Sequence, residues 1–238
     1  MKAKENIMNA SSEPASSAWS RYAALTRHAF QMEFRQKNGL AGLILFSIAA
    51  VYTCYQVAGS RAEAEAWNAL AWVVLLFSAF NAVAKSWPED APEMRAYLIH
   101  VVRPQEWVLA RITFFSLLLC GMSSIVFIAF TLFLGTEHLN GMQAIYFFIG
   151  MLLTSVALAS LLAMIQALAV RANGGFGLIA VLGLPLIIPV ILIATRYGMD
   201  ILHGISFADT AHNLLFLGTL SGGFGALGFI LFPYLWSD

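Results

Sequence analysis

Six long apolar stretches, none of which contains Asp, Glu, Lys, Arg or His, constrain this chain more than any other feature of its sequence. Each is about 20 residues long, and an α-helix of that length crosses about 30 Å of hydrocarbon. The predicted spans are Gly39–Ala58, Trp67–Ala84, Ile112–Leu134, Ile145–Val170, Phe176–Thr195 and Leu214–Trp236. The sequence therefore predicts an all-α integral membrane protein with six transmembrane helices.

The composition excludes a soluble globular enzyme. Hydrophobic residues make up 60% of the chain and charged residues only 11%, whereas soluble domains have about 45–50% and about 25%. The 13 basic residues balance the 13 acidic ones. Without an excess of positive charge, the chain has no electrostatic basis for a nucleic-acid partner.

The distribution of Lys and Arg predicts the orientation, because short loops rich in these residues stay in the cytoplasm. Arg61 and Arg196 fall on one side of the predicted membrane. The other eleven basic residues fall on the opposite side: Lys2, Lys4, Arg21, Arg27, Arg35, Lys37, Lys85, Arg95, Arg103, Arg111 and Arg171. Both termini are therefore predicted to be cytoplasmic.

The domain prediction divides the chain into a disordered tail, residues 1–17, and one six-helix transmembrane domain, residues 18–238. The tail is polar and rich in serine, a composition that disfavours a packed core. Residues 18–37 are predicted to form a basic helix along the inner membrane surface, and a solvated connecting segment is the alternative.

The cysteines and histidines do not predict a disulfide or a tightly bound cofactor. Cys54 and Cys120 lie at membrane depths that differ by about 10 Å, too far for a disulfide. All five histidines, His28, His100, His138, His203 and His212, lie outside the predicted spans. A buried axial haem ligand is therefore not expected from histidine, and no metal site is predicted.

The spans also lack the groups that a self-powered transporter needs. The amide side chains in the spans are Asn68, Asn81, Gln166 and, near the end of the first span, Gln56. Proton-coupled carriers instead keep ionisable residues in the bundle. No G-x-x-x-x-G-K-[ST] phosphate loop is present, so the chain does not bind ATP in the P-loop manner and any energy for work comes from a partner. We predict a non-enzymatic protein. Ser221 is assigned to a small-residue packing face rather than to a hydrolase site, and the other members of that face are Gly218, Gly222, Gly225 and Gly228.

Two further segments are candidates for movement and docking. Pro185 and Pro189 predict a kink or break in the fifth span, as a static kink or a moving hinge. The loop before the third span is predicted to carry a short surface helix, residues 93–102, that docks on a soluble partner; an interfacial connector is the alternative. The candidate coupling residues are Glu93, Tyr97, Leu98, Pro104 and Arg111.

Three separated motifs resemble the CcmB family of cytochrome c maturation permeases, within the type-2 ABC exporter permeases. Glu33, Arg35 and Lys37 resemble the family's E-x-R-x-K pattern before the first span. The segment from Tyr97 through Pro104 to Arg111 resembles its proline-then-basic loop ending, and LPLIIPVILIAT resembles its fifth span. The resemblance covers residues 20–236, although Arg111 stands where a lysine is common.

The resemblance implies a multi-pass permease of the bacterial inner membrane. Its implied partners are a separate ABC ATPase, a haem-handling membrane protein, a haem chaperone and membrane lipid. ATP hydrolysis by the partner would drive haem export or release of the haem-loaded chaperone, with haem as cargo and no tightly bound cofactor. A lipid or drug exporter of the same class and a non-transporting anchor of a membrane redox complex remain as alternatives.

Overall fold

The computed structural model describes residues 18–35, 37–59, 62–85, 104–135, 139–171 and 176–236. These ranges contain α-helices and no strands. The helices are α1 (Ala18–Arg35), α2 (Lys37–Ala58), α3 (Ala64–Lys85), α4 (Pro104–Phe133), α5 (Gly141–Arg171), α6 (Phe176–Leu202) and α7 (Phe207–Trp236). Helices α2 to α7 provide six segments long and apolar enough to cross a membrane. The predicted six-span, all-α fold is confirmed.

The helix boundaries differ from the predicted spans, most clearly in α4. This helix begins at Pro104, so the residues from Pro104 to Arg111, which were expected to end the cytoplasmic loop, are helical. Proline is well suited to the first turn of a helix because its missing N–H needs no partner there. The apolar residues 107–110 then continue the helix into the span without a break.

The helix α5 forms the centre of the bundle and contacts α3, α4, α6 and α7. In its most apolar stretch 72% of the residues are buried, against 17% in α2 and 17% in α7. From α2 to α7, consecutive helices alternate in direction, as contacts such as Lys85 with Gly39 and Tyr197 with Tyr146 show. We call the end that carries Lys85 and Arg111 the basic end, and the opposite end the far end.

Glycines terminate three helices at the far end. Gly59, Gly135 and Gly204 have φ values of 73°, 77° and 76°, in the left-handed region where only glycine is free of strain. The Gly59 N–H donates to the Tyr55 carbonyl at 2.8 Å, which satisfies one carbonyl of the last turn of α2. These glycines allow α2, α4 and α6 to stop where the next segment turns back.

The predicted small-residue face of α7 packs only in part. A Cβ added at Gly218 or Gly222 would meet no atom within 4 Å, so this pair lies against no described helix of the chain. The reason is that α7 lies at the edge of the bundle. Two members of the face do pack. The Ser221 hydroxyl lies 3.2 Å from that of Ser160 in α5, and a Cβ at Gly228 would lie 3.4 Å from Val108 and 3.6 Å from Met164.

The two cysteines are free, as predicted. Cys54 in α2 and Cys120 in α4 form no disulfide. The Cys120 thiol instead donates to the Leu152 carbonyl of α5 at 3.8 Å. Both residues therefore act as half-buried packing side chains.

Candidate functional site

At the basic end, Arg111 joins α4 to the central helix α5. Its Nε donates to Gln166 Oε1 at 3.0 Å, and Gln166 is fully buried. The Arg111 guanidinium also lies 4.9 Å from the centre of the Phe115 ring and 5.7 Å from that of Phe114. Aromatic faces attract a cation, so these contacts hold a charged side chain at the end of an apolar bundle.

The helix α1 packs against the same turns of α4. The Tyr22 and Thr113 hydroxyls lie 2.6 Å apart, and the Phe30 ring meets the Phe114 ring edge-on at 5.2 Å between centres. The exposed side of α1 includes Ala23, Ala24 and Arg27. The part of α4 from Arg111 to Phe114 thus lies between α1 and α5.

A second basic side chain closes the gap between α2 and α3. The Lys85 Nζ donates to the Gly39 carbonyl at 3.2 Å. A Cβ at Gly42 would meet this ammonium group, so the lysine crosses the face of α2 through space that the glycine leaves open. Lys85 and Arg111 therefore both make contacts between helices at this end.

The structure positions the other predicted site residues as follows. Glu93, Tyr97 and Leu98 lie outside the described residues, as does the whole predicted helix 93–102. Pro104 is the first residue of α4. The other candidates fall in helices whose bounds the structure gives: Glu33 and Arg35 in α1, Lys37 at the start of α2, and Pro185 and Pro189 inside α6.

The proline-containing helix α6 is continuous from Phe176 to Leu202. Each proline still removes one helical hydrogen bond, since it has no N–H to donate to the carbonyl four residues before it. The stretch around the prolines is largely exposed, including Val181, Leu184 and Ile188 at 69%, 55% and 57%. A kink or a hinge here remains a prediction.

At the far end, the buried amide of Asn68 joins α3 to α6. The sequence alone showed this residue only as a polar side chain within a span. The Asn68 Nδ2 donates to the Thr195 carbonyl at 2.8 Å, and Asn68 Oδ1 accepts from Trp72 Nε1 at 2.7 Å. Asn68 is fully buried and Trp72 is 1% exposed. Unpaired polar groups are expensive in lipid, and this arrangement pairs both ends of the amide.

Aromatic side chains surround this amide. The Phe147 ring of α5 lies 5.1 Å from the Trp67 ring and 5.5 Å from the Trp72 ring. The Tyr197 hydroxyl of α6 donates to the Tyr146 carbonyl of α5 at 2.7 Å. The far end of α6 is therefore held by α3 on one side and by α5 on the other.

Among the described residues, no group of three or more His, Cys, Asp or Glu side chains is arranged to hold a metal ion. A groove of about 330 Å³ lies between the outer surfaces of α4 and α5. Its lining is apolar apart from one hydroxyl and consists of Ser124, Phe127, Ile128, Ala144, Ile145 and Phe148. These features match a helical membrane scaffold with polar contacts between helices.

Comparison with known families identifies this scaffold. The family model of the CcmB protein matches residues 20–231, which include nearly all of α1 to α7. The chain belongs to the CcmB family. A comparison with curated proteins gives no match.

Membership in the CcmB family assigns a class of function to the bundle. The family forms the transmembrane permease component of a haem-exporting ABC transporter in cytochrome c biogenesis. Such a component is not itself an enzyme.

Proposed function

We propose that this CcmB-family chain is the inner-membrane permease through which a separate ABC ATPase drives haem export or release of a haem-loaded chaperone. The observation that carries the proposal is the family match over residues 20–231. Haem is the cargo in this proposal. The further partners are a haem-handling membrane protein and a haem chaperone. The basic end faces the cytoplasm, in agreement with the basic residues that flank it.

We further propose a path for coupling at the basic end. Residues 86–103 connect α3 to α4, and the ATPase docks there through Glu93, Tyr97 and Leu98. The path continues through Pro104 at the start of α4 to Arg111. Because Arg111 donates to Gln166, a displacement of α4 reaches the central helix α5 directly. A partner transmits its state only through a surface that it contacts.

The first helix and the residues Glu33, Arg35 and Lys37 complete the cytoplasmic surface in this proposal. The helix α1 lies against α4 through Tyr22 and Phe30. We propose that it lies along the inner membrane surface, with its basic residues near lipid headgroups.

Co-purification with the ATPase tests the docking proposal. We expect the double substitution Tyr97→Asp and Leu98→Asp to abolish co-purification, because two carboxylates cannot enter an apolar groove without desolvation. The matched control is Ala23→Asp with Ala24→Asp, at two adjacent exposed positions of α1, which should retain the ATPase. If only the control loses the ATPase, the docking surface lies on α1 instead.

Labelling of introduced cysteines in intact cells tests the orientation. A cysteine at Glu137 or His203 should react with an impermeant maleimide, and one at Arg103 or Arg171 should react only after the cells are opened. The reason is the excess of Lys and Arg on the predicted cytoplasmic side. Reaction at 103 but not at 137 in intact cells would reverse the proposed orientation. Cys54 and Cys120 are replaced by alanine beforehand to remove background.

A further inference from the structure

We propose that Asn68 is a clamp that holds the far end of α6 on α3, so that movement of α6 about Pro185 and Pro189 is confined to its basic half. The clamp itself follows from contacts within this chain. The ATP-driven movement that it confines rests on the proposed function above.

The clamp holds the helix α6 itself, because its hydrogen bond is made to the backbone of α6. Asn68 Nδ2 donates to the carbonyl of Thr195, six residues beyond Pro189 toward the far end. The Thr195 hydroxyl meanwhile donates to the Ile191 carbonyl of its own helix at 2.7 Å, so it does not compete for the amide. Loss of the Asn68 amide would also remove Oδ1, the acceptor of the buried indole N–H of Trp72.

Close packing reinforces the clamp. A Cβ at Gly198 would lie 2.9 Å from Trp72 Nε1 and 2.9 Å from Phe147 Cε2, and it would collide with Asn68 Oδ1. Only glycine therefore lets α6 approach α3 this closely. The hydrogen bond from Tyr197 to the Tyr146 carbonyl adds a second attachment, to α5.

The basic half of α6 is held differently. From Val181 to Ile188 its described contacts with the bundle are apolar, made by buried residues such as Ile187, and no side-chain hydrogen bond to another helix is described there. Apolar contacts are not directional and tolerate sliding better than an amide bond does. Two missing helical hydrogen bonds at the prolines also lower the resistance to bending.

A matched pair of asparagines on α3 allows the clamp to be tested. Asn81 lies on the same helix, but its Nδ2 donates to the Phe77 carbonyl of α3 itself at 3.0 Å. The variants Asn68→Leu and Asn81→Leu each remove one amide from the same span. Only the first removes a bond between helices.

The measurement is the distance between pairs of spin labels in the full permease, purified with its ATPase and free of native cysteines. One pair, Leu45→Cys with Val181→Cys, reports on the basic half of α6. The other pair, Val57→Cys with Arg196→Cys, reports on its far end. All four positions are exposed, so labels should not disturb the packing.

Without nucleotide, we expect Asn68→Leu to broaden and shift the distance distribution of the far pair, and Asn81→Leu to leave it as in the parent protein. Equal distributions for the two variants would overturn the clamp. If Asn68→Leu does not fold, Asn68→Ser replaces it, since serine is too short to reach the Thr195 carbonyl.

With a non-hydrolysable ATP analogue, we expect the basic pair to shift in the parent protein while the far pair stays in place. A far-pair shift as large as that of the basic pair would overturn the confinement. If neither pair shifts, the proposed ATP coupling fails, and confinement of a movement fails with it. The nucleotide-free comparison of Asn68→Leu with Asn81→Leu still decides whether the clamp exists.

Discussion

Gly150→Ala is expected to lower the stability of the bundle by about 1–3 kcal/mol, the usual range for an overpacked core. A Cβ at this position would lie 2.6 Å from Tyr197 Cδ1 and closer still to Tyr197 Cε1. The ring cannot easily retreat, because its hydroxyl is bonded to the Tyr146 carbonyl and its side chain is fully buried. Thermal unfolding of the purified protein in detergent measures the loss.

Gly121→Ala is the control for this prediction. Gly121 also lies in a membrane helix, but a Cβ there would meet no atom within 4 Å, so its unfolding temperature should match or exceed that of the parent. Adding Tyr197→Leu to Gly150→Ala should produce less than the sum of the two losses, since the collision is removed. Strictly additive losses would show that the Tyr197 ring is not what Gly150 accommodates.

Arg111→Leu is expected to uncouple the permease while leaving the ATPase bound. A hydrogen bond to a charged group contributes about 1.5–3 kcal/mol, and about 1.4 kcal/mol changes an equilibrium constant tenfold. The balance between two arrangements of α4 on α5 should therefore shift by about tenfold or more. Cytochrome c formation in cells should fall by a similar factor, whereas co-purification of the ATPase should persist.

Arg27→Leu provides the matched control for Arg111→Leu. Arg27 is an exposed arginine of α1, the helix that packs against α4 next to Arg111, and its loss should lower cytochrome c formation much less than the loss of Arg111. Arg111→Lys should retain part of the activity, because lysine keeps the charge but lacks the planar donor group. Equal losses from Arg27→Leu and Arg111→Leu would indicate a general need for positive charge instead of a specific bond to Gln166.

The sequence predicted the membrane spans well because length and apolarity are local properties. Each span could be recognised from about 20 consecutive residues without knowing its neighbours. The start of α4 was misplaced for a local reason as well. The charges of Glu106 and Arg111 suggested a loop, but one turn of apolar residues between them and Pro104 at the first position were enough to extend the helix.

The contacts between helices were beyond prediction because they depend on partners far away in the chain. Asn68 and Gln166 stood out as amides in apolar spans, yet nothing near them indicates Thr195 or Arg111 as partners. The reverse error occurred in α7, where the spacing of Gly218 and Gly222 suggested close packing. That pattern shows that another helix can approach, but not that one of this chain does.

The long separation of the Asn68 and Thr195 positions has a consequence for biogenesis. The two residues are 127 positions apart, which corresponds to about 6–25 s of synthesis at roughly 5–20 residues per second. Arg111 and Gln166 are 55 positions apart, or about 3–11 s at the same rates. During insertion from the ribosome, the bond between Arg111 and Gln166 can therefore form first, and Asn68 lacks its Thr195 partner until α6 has been made.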